Sequence, residues 1–163
     1  GMFYKRRDYT KIVNGKNPIV AHEFLGDSVE GKDVIIVDDM IASGESMLDV
    51  CRQLKKRKAK RVFCFATFGL FTAGLEVLDK AYEEGTIDKV ISTNVCYQNP
   101  ELFNREWYSS ADMSKYLAII IDHMNHDSSI SELLNPTERI QARLNEYREK
   151  HTISDNYDRP SIA

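Results

Sequence analysis

Two adjacent carboxylates, Asp38 and Asp39, directly follow an apolar run at residues 34–37 (VIIV). Charges at the end of an apolar segment are costly unless they meet a partner. The vicinal hydroxyls of a ribose suit that role, because each carboxylate oxygen accepts a hydrogen bond from an O–H donor. The acidic pair therefore predicts a position that binds a sugar.

The loop after the acidic pair has the composition of an anion site. It reads IASGES over residues 41–46 and leads into a predicted helix. Small residues let backbone N–H groups approach a phosphate, and a helix N-terminus adds about half a positive charge. The residues expected to hold the phosphate are Ala42, Ser43, Gly44, Glu45 and Ser46. A plain turn with helix-capping residues is the alternative, and neither the dinucleotide fingerprint nor the Walker sequence is present here.

A strand and the following helix must position these residues. The run at 34–37 is β-branched without alternation, which predicts a strand buried on both faces of a parallel sheet. Further strands are predicted at 62–67 and 89–95, and helical spacing covers 46–58 and 75–82. This order predicts an α/β fold with a mainly parallel, twisted sheet flanked by helices in three layers. Ligands bind such sheets at the carboxyl ends of the strands.

The rest of the chain predicts a hairpin before this sheet and helices after it. β-prone residues 9–13 and 19–24 flank a turn sequence, which is typical of a hairpin. Residues 115–124 have helical spacing with Asp112 or Ser114 as the cap, and a last helix runs from Pro136 to about residue 149. We expect one domain over 1–134 and a C-terminal helix with a polar tail over 135–163.

Composition limits the classes of function. The chain has 163 residues and a net charge of -3, which suits one globular domain and gives no basis for bulk nucleic-acid binding. No apolar stretch reaches the roughly 20 residues of a membrane span, and there is no signal peptide. The three cysteines are widely spaced and lack a zinc-binding spacing, so we expect no metal site among them, a buried thiol at Cys64 and a cytoplasmic location. Gly1 and Met2 are typical of a tag scar, and we expect a fragment of a longer protein.

The string at 34–46 is similar to the phosphoribosyl-pyrophosphate (PRPP) signature of type I phosphoribosyltransferase folds. Within that superfamily the chain most resembles the ribose-phosphate pyrophosphokinase family. Residues 5–7 (KRR) resemble the mobile catalytic loop of that family, and residues 66–72 (ATFGLFT) resemble its Thr-His-Gly-Leu-Phe-Ser segment. The resemblance runs from about Lys5 to Leu134.

The resemblance implies an activity and a role for each part of the site. The family transfers the β,γ-diphosphoryl group of ATP to ribose 5-phosphate, which yields PRPP and AMP for nucleotide biosynthesis. Asp38 and Asp39 would bind ribose hydroxyls, and Mg²⁺ would bridge these hydroxyls and the substrate phosphates. Lys5 and Arg7 would be catalytic, because they would neutralise the charge that develops on the transferred group. A homo-oligomer is also implied.

Three positions depart from the pattern of the family. Ala42 stands where the family usually has Asp, and Phe68 stands where it has His. Glu45 brings a negative charge to residues 41–46, here called the phosphate loop. This charge is tolerable only if the side chain of Glu45 faces solvent. We expect the half of the family that supplies most of the adenine site to lie outside this sequence, and the isolated chain to be inactive. Two alternatives stay open: a salvage phosphoribosyltransferase that uses PRPP and a nucleobase, and a non-catalytic regulatory or assembly domain.

Overall fold

The computed structural model describes residues 1–7 and 19–151, except for the side chains of residues 3–7, 19–23 and 132. The chain divides into two compact units, Gly1–Ser114 and Lys115–Ala163. The domain boundary expected after residue 134 stays a prediction.

The described residues of the first unit form two sheets. Strands β1 (Met2–Arg7) and β2 (Ile19–Leu25) form an antiparallel pair. The second sheet is parallel and four-stranded, in the order β3 (Asp33–Ile41), β4 (Arg61–Gly69), β5 (Lys89–Thr93) and β6 (Tyr108–Ala111). Helix α1 (Glu45–Lys56) connects β3 to β4, α2 (Glu76–Glu83) connects β4 to β5, and a 3-10 helix (Pro100–Asn104) lies between β5 and β6. The parallel α/β fold class is therefore confirmed.

Helices α1 and α2 share one hydrophobic core with one face of the parallel sheet. The apolar positions of α1 recur at helical spacing, and its buried residues are Met47, Leu48, Cys51 and Leu54. From the sheet, Val62, Cys64 and Val90 are 0% exposed. Burial of such a side chain contributes roughly 1.5–3 kcal/mol. This core fixes α1 against the sheet, and so fixes the loop that enters α1.

The opposite face of β3 is exposed, so the prediction that this strand is buried on both faces is wrong. Val34 and Ile36 are half-buried, whereas Ile35 is 63% exposed and Val37 is 79% exposed. Within the described part of the chain, β3 is also an edge strand of its sheet. A continuous apolar run shows that a segment favours a strand, but it does not show which faces are covered.

Most of the predicted elements of the first unit are confirmed. The structure contains α1, β4, α2 and β5 close to their predicted bounds. Strand β2 is confirmed, but its observed partner is β1, while residues 9–13 lie outside the described residues. The fourth parallel strand was not predicted, because β6 has only four residues and a polar sequence, YSSA. Cys64 is a buried free thiol, as predicted; its hydrogen bond with Cys51 and its burial raise its pKa.

Up to residue 151, where the described part of the chain ends, the second unit is helical. Its elements are α3 (Ser114–Asn125), which starts at the boundary, α4 (Ser131–Leu134) and α5 (Thr137–His151). The Tyr116 hydroxyl and the Arg139 guanidinium both donate to the Leu133 carbonyl, each at 2.6 Å, which links the three helices. The backbone N–H of Ser114 donates to Asp112 at 2.9 Å, which confirms Asp112 as a cap. Among the described helices, none is both long and apolar enough to cross a bilayer.

Candidate functional site

The acidic pair and the loop after β3 line one surface cavity of about 310 Å³ at the carboxyl end of that strand. The lining residues are Asp38, Asp39, Met40, Ile41, Ala42, Ser43, Gly44, Ser46 and Met47. The structure therefore brings together all the residues predicted to bind ribose and phosphate, except Glu45. Parallel sheets bind ligands at this edge, because the loops that follow the strands gather there.

The two carboxylates at the cavity are exposed and have no cationic partner among the described residues. The pair makes one hydrogen bond within itself: the backbone N–H of Asp39 donates to Asp38 Oδ1 at 2.9 Å. An ionised carboxylate accepts several hydrogen bonds, so most of the accepting capacity of the pair is available. The pair can bind hydroxyl donors or a hard cation.

The loop is shaped by Gly44, which has a φ of 84° and is the N-cap of α1. Glycine adopts this left-handed conformation without a steric penalty. The Gly44 carbonyl accepts from the N–H of Leu48 at 2.9 Å and starts the helix. The first turn of a helix leaves its N–H groups without intrahelical acceptors. Because Ser46 and Met47 of that turn line the cavity, the positive end of the α1 dipole lies at its edge.

The side chain of Glu45 is exposed, and Glu45 does not line the cavity. The carboxylate of Glu45 therefore does not occupy the cavity that is predicted to hold the phosphate. The condition under which Glu45 is tolerable is met. Ser43 is half-buried, and its hydroxyl lies 3.4 Å from the N–H of Glu45, so Ser43 also orders the turn.

Lys5 and Arg7 lie on a different sheet from the acidic pair. Both belong to β1, where Lys5 pairs with His22 and Arg7 pairs with Ile19. Residues 5–7 therefore have the backbone of a strand, not the loop that the resemblance implied. Their side chains lie outside the described residues, and their catalytic role stays a prediction.

A second cavity, of about 270 Å³, lies at the carboxyl ends of β4 and β5, and sequence reasoning missed its residues that follow β5. Its lining includes Gly69, Leu70, Phe71, Tyr97, Asn99 and Glu101. Residues 97–101 follow β5, which is the signal that could have found them. No group of three or more metal-ligating side chains is found among the described residues.

A family profile and curated relatives match most of the described chain. The profile described as "Phosphoribosyl synthetase-associated domain" matches residues 9–135. The ribose-phosphate pyrophosphokinase of Vibrio cholerae is 34% identical over 111 residues, which are 68% of this chain and 34% of that protein. The enzyme of the same name from Shewanella oneidensis is 36% identical over 114 residues, with the same shares of 68% and 34%. The chain thus spans about one third of the length of these relatives.

One solved structure supports the fold. The crystal structure of phosphoribosylpyrophosphate synthetase from Mycobacterium smegmatis superposes with a TM-score of 0.53 and 23% identity. The superposition covers 69% of this chain and 35% of that chain. At this identity the likeness shows the fold alone, a parallel sheet flanked by helices.

Proposed function

The chain belongs to the phosphoribosyl synthetase-associated domain family, and from this membership we propose that it is the ribose 5-phosphate-binding part of a ribose-phosphate pyrophosphokinase. The observation that carries the proposal is the shared cavity of the acidic pair and the small-residue loop. Because the chain spans about 34% of the curated relatives, the activity of a whole enzyme is part of the proposal.

The proposed binding mode uses the two kinds of group that line the cavity. Asp38 and Asp39 accept hydrogen bonds from the ribose hydroxyls. Residues 42–46 hold the 5-phosphate through backbone N–H groups, the hydroxyls of Ser43 and Ser46, and the dipole of α1. The two sets follow one another directly along the chain, so a single phosphorylated sugar can reach both.

The proposed reaction is transfer of the β,γ-diphosphoryl group of ATP to the anomeric hydroxyl of ribose 5-phosphate. Asp38 and Asp39 fit a Mg²⁺ ion, since they are oxygen ligands without a cationic partner among the described residues, and the ion would neutralise charge on the substrate phosphates. Lys5 and Arg7 are proposed to stabilise the charge of the transferred group. A homo-oligomeric state and a cytoplasmic location stay predictions, as does the absence of nucleic-acid and membrane partners.

The alternatives left open by the sequence are not favoured. The relatives compared above are named as ribose-phosphate pyrophosphokinases, and neither is named as a salvage phosphoribosyltransferase. The non-catalytic alternative was kept open partly because of the charge of Glu45. Glu45 does not line the cavity at Asp38, so this reason no longer applies.

Thermal unfolding with and without ribose 5-phosphate tests the proposal. A ligand that binds only the folded state raises the melting temperature. We expect ribose 5-phosphate to stabilise the chain, and unphosphorylated ribose at the same concentration to have little effect. The double substitution Asp38→Asn and Asp39→Asn should weaken the affinity about tenfold or more, because hydrogen bonds to charged groups contribute roughly 1.5–3 kcal/mol each.

A matched control carries the same chemical change elsewhere. Asp33 is an exposed carboxylate at the amino end of β3, so Asp33→Asn should leave the affinity for ribose 5-phosphate unchanged. Absence of stabilisation of the unsubstituted chain would overturn the proposed function. Equal affinity of the double variant and the unsubstituted chain would overturn the role of the acidic pair.

A further inference from the structure

Phe71, in the loop between β4 and α2, has a left-handed backbone conformation with a φ of 47°. Among the described residues, the other non-glycine residues with positive φ are Lys58 and Asp127. Those two follow the C-terminal ends of α1 and α3, where left-handed residues are common. Phe71 follows a strand, and a bulky side chain at positive φ is a genuine outlier. Its surroundings must therefore impose the conformation.

An aromatic cluster holds the ring of Phe71 in place. The ring is nearly buried and meets Trp107 and Tyr108 edge-on, with centroid distances of 6.4 and 6.1 Å. The Trp107 indole donates to Asp79 at 2.7 Å, and the hydroxyls of Tyr108 and Ser92 are 2.8 Å apart. Both aromatic partners are thus fixed by hydrogen bonds of their own.

Glycine at position 69 leaves the space that the Phe71 ring occupies. A Cβ atom at Gly69 would lie 2.7 Å from the Phe71 ring and 2.7 Å from Ser92 Oγ. Such distances are too short for any Cβ, so a side chain at this position would displace the ring. The close approach of the Gly69 backbone and the Phe71 ring is part of the same arrangement.

The backbone around Phe71 holds the start of the phosphate loop. The N–H groups of Leu70 and Phe71 donate to the Ile41 carbonyl at 2.9 and 3.3 Å. The N–H of Thr72 donates to the Ala42 carbonyl at 2.9 Å. These hydrogen bonds orient the two peptide groups at which β3 leads into the loop.

The orientation of these peptide groups has a direct consequence for anion binding. In a trans peptide the C=O and the N–H point in opposite directions. Because residues 70–72 bind the carbonyls of Ile41 and Ala42, the N–H groups of Ala42 and Ser43 point away from residues 70–72. Ala42 and Ser43 both line the cavity at the end of β3.

We propose that Phe71 is a positioning residue for the phosphate loop, which acts through the peptide groups of residues 41–43. The contacts of the Phe71 ring with Trp107 and Tyr108 hold its left-handed backbone. That backbone directs the N–H groups of residues 70–72 toward the carbonyls of Ile41 and Ala42. Phe71 itself does not line the cavity at the acidic pair. The binding consequence rests on the proposed function, whereas the effect on the loop does not.

Two measurements on Phe71→Ala test the proposal: affinity for ribose 5-phosphate by calorimetry and amide hydrogen exchange. We expect the affinity to fall about tenfold, in line with the large effects of small displacements in a binding site. Exchange of the N–H groups of Leu70 and Thr72 should accelerate, because they lose their fixed acceptors. The conservative variant Phe71→Tyr keeps the ring and should restore both properties.

Ile87→Ala is the matched control, because Ile87 is 1% exposed and precedes β5 at the amino end of the sheet. It should lower the melting temperature and leave the affinity and the exchange at Leu70 and Thr72 unchanged, at a temperature where all variants are folded. Affinity of Phe71→Ala within twofold of the unsubstituted chain would overturn the proposal, as would an equal loss in Ile87→Ala. If the unsubstituted chain binds no ribose 5-phosphate, the proposed function fails. Amide hydrogen exchange at Leu70 and Thr72 then tests the positioning role by itself. Faster exchange in Phe71→Ala but not in Ile87→Ala supports this role, and unchanged exchange in Phe71→Ala overturns it.

Discussion

The two ends of the four-stranded parallel sheet use carboxylates in different ways. At the amino end, Asp33 accepts from Arg61 Nε at 2.9 Å. Asp88, directly before β5, accepts from the N–H of Val62 at 2.8 Å and from Lys55 Nζ at 3.2 Å. Each of these carboxylates has a cation and completes the structure around it.

At the carboxyl end, Asp38 and Asp39 have no cation among the described residues, although they belong to the same strand as Asp33. With the proposed function, the difference implies that one residue type serves stability at one end of a strand and binding at the other. Substitutions at the amino end should therefore change the free energy of unfolding and leave ligand affinity unchanged. Substitutions of Asp38 and Asp39 should change affinity.

Asp88→Ala should give the largest effect at the amino end. Val62 is 0% exposed, and its N–H would lose the acceptor that Asp88 supplies. An unsatisfied buried donor costs about 1–3 kcal/mol, which urea unfolding can measure. Asp88→Asn keeps a carbonyl acceptor and loses only the ion pair with Lys55, so it should cost much less. If the affinity of these two variants for ribose 5-phosphate fell in proportion to their loss of stability, the amino end would also affect binding, and the distinction between the two ends of the sheet would fail.

Gly31→Ala and Gly44→Ala form a matched pair, one at each end of β3. Both glycines have positive φ, at 71° and 84°. A new Cβ meets nothing within 4 Å at Gly31, and its nearest neighbour at Gly44 is Leu78 at 3.8 Å. Each substitution should therefore cost a similar amount, about 1–2 kcal/mol, through the backbone conformation alone. Only Gly44→Ala should weaken ribose 5-phosphate binding in calorimetry, because only Gly44 shapes the phosphate loop; equal effects on affinity would contradict this.

The strand, loop and helix of the site could be predicted from the sequence, because each depends on local chemistry. The β-branched residues before Asp38 favour a strand, and the apolar positions of α1 repeat at helical spacing. The support of the loop could not be predicted. Trp107 and Tyr108 reach Phe71 only after the chain folds, from about 36 residues away along the sequence. The exposure of Val37 was also missed, since it depends on which layers cover the sheet.

Substitution of Asp33 should give the smallest effect on stability. The effect should be visible in how the melting temperature depends on pH. The hydrogen bond from Arg61 holds the pKa of Asp33 below its ordinary value. A carboxylate with a lowered pKa in the folded state stabilises the protein above the unfolded pKa, about 3.9, and loses that contribution as the pH falls through the folded pKa. Solvent screens this exposed pair, so the contribution is small.

Melting temperatures of the unsubstituted chain and Asp33→Asn should therefore differ slightly near pH 7 and converge below about pH 4. Comparison with the variant isolates Asp33 from other carboxylates of lowered pKa, such as Asp112 and Glu146, which both proteins retain. A difference that persists at low pH would show that Asp33 acts through packing instead of charge. Affinity for ribose 5-phosphate at pH 7 should be the same in both proteins, because the Asp33–Arg61 pair lies at the end of the sheet opposite the cavity.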